Sequence, residues 1–154
     1  MNVVVRAATL EDVNALIGFN TAMALETEDK HLDPEVLRRG VTRLVSDPRL
    51  GRCLIADSGG EAVGTLSVTQ EWSDWRCGLF WWIQSVYVER AARGHGVFEA
   101  LYRYIEGEAK RDPEVCGLRL YVERENERAQ RTYARLGMHE TAYRIFETEF
   151  ESHA

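Results

Sequence analysis

The sequence predicts an α/β fold in which a mixed, mostly antiparallel central sheet is flanked by helices. Three observations lead there. Short runs of β-branched and aromatic residues, two of them joined by a hairpin signal, describe an antiparallel meander. A later apolar strand then passes through a glycine loop straight into an amphipathic helix and on to another alternating strand, the crossover that parallel pairing needs. Further helical stretches before and after these runs supply covering layers. At 154 residues, with no internal repeat, low-complexity tract or linker, the chain suits one domain with one sizeable core over residues 1–154.

Val3, Val4 and Val5 read as the first strand. Thr9 and Asp12 then form a capping box, and Val13, Leu16, Ile17 and Phe19 carry a helix to about residue 25. The acidic stretch 26–31 connects it to a second helix, opened by Asp33-Pro34 and ended by Asp47-Pro48. Residues 52–56 and 62–69 read as strands joined by Asp57-Ser58-Gly59-Gly60-Glu61. Residues 71–78 read as a polar turn holding Trp72 and Trp75, and the central strand follows to about Val88. Val97, Leu101, Ile105 and Ala109, at steps of four, mark one face of the next helix, with Pro113 just past its end. Leu118, Leu120 and Val122 alternate with polar neighbours in a further strand. A short helix capped by Asn126 and closed by Gly137, then a last strand over residues 143–147, complete the chain.

Composition narrows the partners. Apolar residues at 45% and charged ones at 29% are ordinary for a globular protein. A net charge of −6 argues against a nucleic-acid binder, although a small anion can still bind in a local cradle. Cys53, Cys77 and Cys116 are odd in number and far apart, which fits reduced thiols and a cytoplasmic protein better than a disulfide framework or zinc knuckle. His31, His95, His139 and His153 have no metal-ligand spacing, so no metal is expected. No apolar run reaches membrane-spanning length and the start of the chain has no signal-peptide core, so no membrane partner is expected.

The chemistry concentrates at Arg93-Gly94-His95-Gly96-Val97-Phe98. Two glycines give the backbone torsions that side chains forbid, and the helix that follows points unpaired N–H groups and its positive dipole end at the loop. That is an anion cradle, and its usual occupant is phosphate. The loop lacks the Gly-Lys-Ser/Thr ending of a nucleotide-triphosphate loop and the Gly-x-Gly-x-x-Gly dinucleotide fingerprint. It resembles instead the Arg/Gln-x-x-Gly-x-Gly/Ala motif of the GNAT N-acetyltransferases, departing where Phe98 replaces Gly or Ala. A second stretch, Asn126-Glu127-Arg128-Ala129-Gln130-Arg131-Thr132-Tyr133 followed by Gly137-Met138, resembles that family's Asn-x-x-Ala-x-x-x-Tyr signature.

The resemblance implies direct transfer of acetyl from acetyl-CoA, as co-substrate, to a small-molecule or peptide amine. It places the pyrophosphate on Arg93, Gly94, His95, Gly96, Val97 and Phe98. Val86, Tyr87 and Val88 would carry the pantetheine arm, chiefly through the backbone groups of Val86 and Val88. Asn126 and Tyr133 would complete the cofactor site. Tyr133 becomes the acid for the departing thiolate. The carboxylate that several family members carry early on the central strand is missing here, where residues 79–84 read Leu-Phe-Trp-Trp-Ile-Gln. Glu71, Glu26 and Glu28 remain as bases acting through water, and a dedicated base is dispensable with so good a leaving group. Glu26 and Glu28, facing Trp72 and Trp75 across a cleft opposite the cradle, would favour a cationic amine. The rival readings are a catalytically inactive CoA-binding sensor or interaction domain and, against the second motif, an unrelated phosphate-binding domain. A homodimer stays open.

Overall fold

A computed structural model describes residues 1–151; His153 lies outside them. Contacts divide the chain into a first unit, Met1–Leu120, and a second that begins at Tyr121.

The first unit is built on a five-stranded sheet in sequence order. Strands β1 (Val4–Ala7), β2 (Arg52–Ser58), β3 (Glu61–Ser73) and β4 (Gly78–Val88) are antiparallel neighbours, and β5 (Val115–Leu120) runs parallel to β4. The sheet is therefore mixed and mostly antiparallel. Local chemistry explains the turns. Between the paired residues Ser58 and Glu61, Gly59 and Gly60 both have positive φ (63° and 88°), as a tight two-residue hairpin demands. The Gly60 amide also donates to Asp57 Oδ1 at 2.9 Å.

Helices cover both faces. After a single 3₁₀ turn, Leu10–Asp12, comes α1 (Val13–Glu28), followed by α2 (Pro34–Ser46). The Thr9–Asp12 capping box forms as expected: the Thr9 amide donates to Asp12 Oδ2 at 2.7 Å, and Thr9 Oγ1 accepts from Glu11. Asp33 caps α2 through the amides of Glu35 and Val36, with Pro34 in its first turn. Val13, Leu16 and Phe19 of α1 pack with Val41, Ile55 and Tyr87. Helix α3 (Val97–Arg111) crosses over from β4 to β5 and buries the expected stripe of Val97, Leu101, Ile105 and Ala109. A Cβ on Gly64 would lie 3.1 Å from Val97 and 3.6 Å from Leu101, so β3 turns that position toward α3. Its neighbour Thr65 pairs with Tyr87, which packs beside α1, so the two helices lie on opposite faces.

Several boundaries move. Helix α1 runs a turn beyond residue 25, taking up Glu26 and Glu28 that were expected in a connection. Strand β3 continues to Ser73, because Gln70, Glu71, Trp72 and Ser73 keep partners in Trp81, Phe80, Leu79 and Gly78. Glu71 and Trp72 are thus strand residues, and the turn shrinks to 74–77. Strand β5 begins at Val115 rather than near 118; Gly117 fits because the Phe80 ring fills the space a Cβ would take, 2.8 Å away.

In the second unit, α4 (Glu127–Arg135) has Asn126 as its cap, whose side chain accepts from the Ala129 amide at 3.1 Å. Gly137, at φ 100°, ends it, and the Met138 amide returns to Tyr133 O. The strand expected over 143–147 does not form within this unit: a strand requires a ladder partner, and the unit's described residues contain no other strand.

Candidate active site

The expected cradle has two glycines and a helix start with no side-chain cap. Gly94 and Gly96 sit at φ 80° and 77°, and nothing lies within 4 Å of a Cβ built on either. Their requirement is conformational rather than steric. Helix α3 starts at Val97 with Gly96 as its cap residue and no side-chain cap, whereas α2 and α4 are both capped by side chains. A helix start of this kind keeps its donors for a bound anion. Phe98, the departure from the family motif, lays its ring 6.2 Å from that of Tyr102, one turn along the helix.

Strand β4 contributes a backbone edge. The Glu89 amide donates to Val63 O, so the bonded pairs alternate and next include Tyr87 with Thr65 and Ser85 with Ser67. Val86 and Val88 therefore turn their backbone groups away from β3. The parallel ladder with β5 ends at Ile83, opposite Leu120, and a register shift places Gln84 as an extra residue between the Ile83 and Ser85 pairings. Beyond it, within this unit, no strand pairs with the outer side of β4. Arg93 Nε donates to Val88 O at 2.9 Å, which occupies one of the outward carbonyls.

Glu26 was expected across a cleft from the cradle, and the fold puts it on the cradle itself. Its carboxylate accepts from Arg93 Nη2 at 2.8 Å, Arg90 Nε at 3.2 Å and Tyr87 OH at 3.0 Å. The Arg93 guanidinium beside it, with help from Tyr87 and Arg90, holds Glu26 below the usual carboxylate range. Burial, and then Glu26, push the Tyr87 phenol up. Glu28 lies at the exposed end of α1.

The other candidates divide between the two faces of the sheet. Alternation along β3 places Thr65, Ser67, Thr69 and Glu71 on the α1 side, and turns Trp72 to the opposite side. Glu71 and Trp72 therefore cannot line one pocket. Trp75, at the turn, is 88% exposed. Glu71 accepts from Arg119 Nη1 at 2.6 Å, and the Arg119 guanidinium stacks 3.7 Å above the Phe80 ring centroid. Gln84 donates to Thr69 on the same face at 2.8 Å. Sequence reasoning missed Arg90, Arg119 and this polar stripe. The stripe was legible as period-two polarity within an apolar strand; the two arginine pairings were not, because their partners are 64 and 48 positions away.

In the second unit, Tyr133 is half-buried on α4, and burial raises its phenol. Asn126 is spent as the helix cap. No helix among the described residues is long and apolar enough to cross a membrane.

Comparison with known proteins agrees with this geometry. Residues 14–138 match the model of the Acetyltransferase (GNAT) family. A possible acetyltransferase from Clostridium difficile 630 is 41% identical, with a TM-score of 0.91 over 97% of this chain and 99% of that one. Two more distant structures share the fold. A ribosomal-protein-alanine N-acetyltransferase from Brucella melitensis biovar Abortus 2308 is 17% identical, with a TM-score of 0.77 over 97% and 99% of the two chains. An aminoglycoside N-acetyltransferase in complex with CoA is 14% identical, with a TM-score of 0.79 over 96% and 95%. No curated protein matches. With the family match spanning most of its length, this chain belongs to the GNAT acetyltransferase family.

Proposed function

We propose that the protein transfers an acetyl group from acetyl-CoA to a primary amine by direct attack in a ternary complex. The observation that carries this reading is the start of α3 with no side-chain cap, placed by Gly94 and Gly96 one 3₁₀ turn (Arg90–Ala92) after a strand whose Val86 and Val88 backbone groups face outward. Residues 93–98 would hold the pyrophosphate. Val86, through its amide and carbonyl, and Val88, through its amide, would bind the pantetheine arm, since Val88 O already accepts from Arg93. Bound acetyl-CoA supplies the thioester and a thiolate leaving group.

In that complex the amine nitrogen forms a bond to the acetyl carbon while the carbon–sulfur bond breaks. Tyr133 is the proposed donor of a proton to the departing sulfur, since a phenol is protonated at neutral pH and has a proton to give. The proton lost by the amine goes to water. Glu26 and Glu71 are poorly suited to take it directly, because each is already the acceptor of an arginine. A cationic acceptor suits the acidic chain; Glu28 is exposed at the end of α1, and Glu71 lies on the α1 side of the sheet paired with Arg119.

Gly96→Asp tests the cradle. Aspartate tolerates the left-handed conformation comparatively well, so the fold should persist while a negative charge is added beside the phosphates. The Kd for CoA should rise more than about tenfold, the factor that ~1.4 kcal/mol of repulsion supplies. A folded variant that binds CoA like the parent removes the cradle from this position. Thiol release with a panel of amines separates a transferase from a CoA-binding sensor, which would bind without turnover.

A further inference from the structure

We infer that Glu26 is a positioning residue for the cofactor loop rather than part of the acceptor site. The inference rests on residues 93–98 being the pyrophosphate site. The Arg93 side chain is held at two points: Nε on Val88 O at 2.9 Å and Nη2 on Glu26 Oε2 at 2.8 Å. Its guanidinium also lies 5.4 Å from the Tyr87 ring centroid. Arg90, at the start of the same loop, reaches the other oxygen of Glu26, and Tyr87 OH donates to that oxygen as well. Tyr87 is anchored in turn against Phe19 of α1, with ring centroids 5.7 Å apart. One carboxylate from the last turn of α1 thus ties both ends of the 90–93 segment to the packed core. Gly94 and Gly96 follow at once, so a shift of the Arg90–Ala92 3₁₀ turn or of Arg93 would be passed to the loop, and the tie reduces what binding must reorganise.

Charge and positioning make opposite predictions, so one measurement decides between them. Removing Glu26 leaves Arg90 and Arg93 without their counter-ion. If charge alone mattered, an anionic ligand would bind more tightly. If Glu26 positions the loop, binding should weaken.

The experiment is calorimetric titration of CoA at physiological ionic strength into the parent, Glu26→Gln, Glu26→Ala, Arg93→Ala and the Glu26→Ala/Arg93→Ala double variant. Thermal melts report whether each is folded, and Glu26→Gln serves as the milder variant should the alanine fail to fold. Glu26→Ala should weaken CoA binding about five- to thirtyfold, and Glu26→Gln less, because one amide oxygen remains as an acceptor. In the Arg93→Ala background the same change should add less than it does in the parent, because one of the three donors to Glu26 is already gone while Arg90 and Tyr87 remain. In turnover, the KM for acetyl-CoA should rise while kcat at saturation and the acceptor KM hold, a split that general destabilisation would not produce. Unchanged or tighter binding in folded Glu26 variants, full additivity with Arg93→Ala, or a change confined to the acceptor KM would each overturn the inference. A parent chain that binds no CoA removes the cradle reading, and the inference with it. A parent that binds, beside variants equal to it, removes the inference alone.

Discussion

At the scale of single residues, the acid assigned to Tyr133 can be tested without disturbing the cradle. A phenol is protonated through neutral pH and has a proton to give, and burial raises this one further. Tyr133→Phe deletes one oxygen and keeps the ring in place on α4. Turnover should fall by about a hundred- to ten-thousand-fold, the usual worth of general acid catalysis, while the Kd for CoA changes little. A loss under about threefold with chemistry rate-limiting, judged by the same general-acid scale, would assign the proton to another donor. Glu71 shows the opposite lesson. Named from sequence as one of the carboxylates remaining because the central strand has none, it is an ion-pair partner of Arg119 in the fold. The contact joins β3 to β5 across β4, and nothing in local spacing announces it.

At the scale of elements, the entry into the first helix couples stability to pH. Arg6 holds Asp12 through both carboxylate oxygens, at 2.8 and 2.9 Å, and the Thr9 amide adds a third bond. The hydrogen bond from Arg6, then that from Thr9, keep Asp12 below the usual carboxylate range. A carboxylate with a depressed folded value contributes fully above its unfolded pKa of roughly 3.9, and loses that contribution as pH falls through the folded value. Asp12→Asn should therefore cost about 2 kcal/mol at neutral pH, the scale of hydrogen bonds to a charged group, with the gap in melting temperature closing as pH drops below about 4. A gap that stays constant with pH would show that the charge of Asp12 is irrelevant. This box, the Asp33-Pro34 start of α2, the Gly59-Gly60 hairpin and the Val97–Ala109 stripe were all legible, because each depends on residues within one or two turns of chain. Boundaries were less legible where a partner strand decides them. Glu71 and Trp72 read as turn by composition, yet they stay in β3 because Phe80 and Leu79 pair with them. The glycine loop opening α3 was legible from Gly94 and Gly96, while the contact of Glu26 with Arg93 was not, since it depends on α1 folding back 67 positions.

At the scale of the whole molecule, charge bears on the proposed cationic acceptor. The chain carries a net charge of −6, and Glu71 lies on the sheet face shared with Ser67 and Thr69. Glu71 there is balanced by Arg119, so the attraction for an ammonium comes from the net charge of the chain, and salt would weaken it, since a Debye length of about 8 Å at physiological ionic strength already screens exposed charges. The apparent KM for the acceptor should therefore rise with salt. The same field stabilises the protonated amine, which has no lone pair to attack with. Activity should then rise with pH toward the bound amine's pKa, because each step upward increases the neutral fraction. Glu71→Gln leaves Arg119 without its partner and turns the site more positive, so it should raise the acceptor KM while leaving the Kd for CoA unchanged. Measuring initial rates across pH and salt for the parent and Glu71→Gln checks all three. An anionic acceptor, or a KM indifferent both to salt and to the substitution, would move the acceptor away from this face of the sheet.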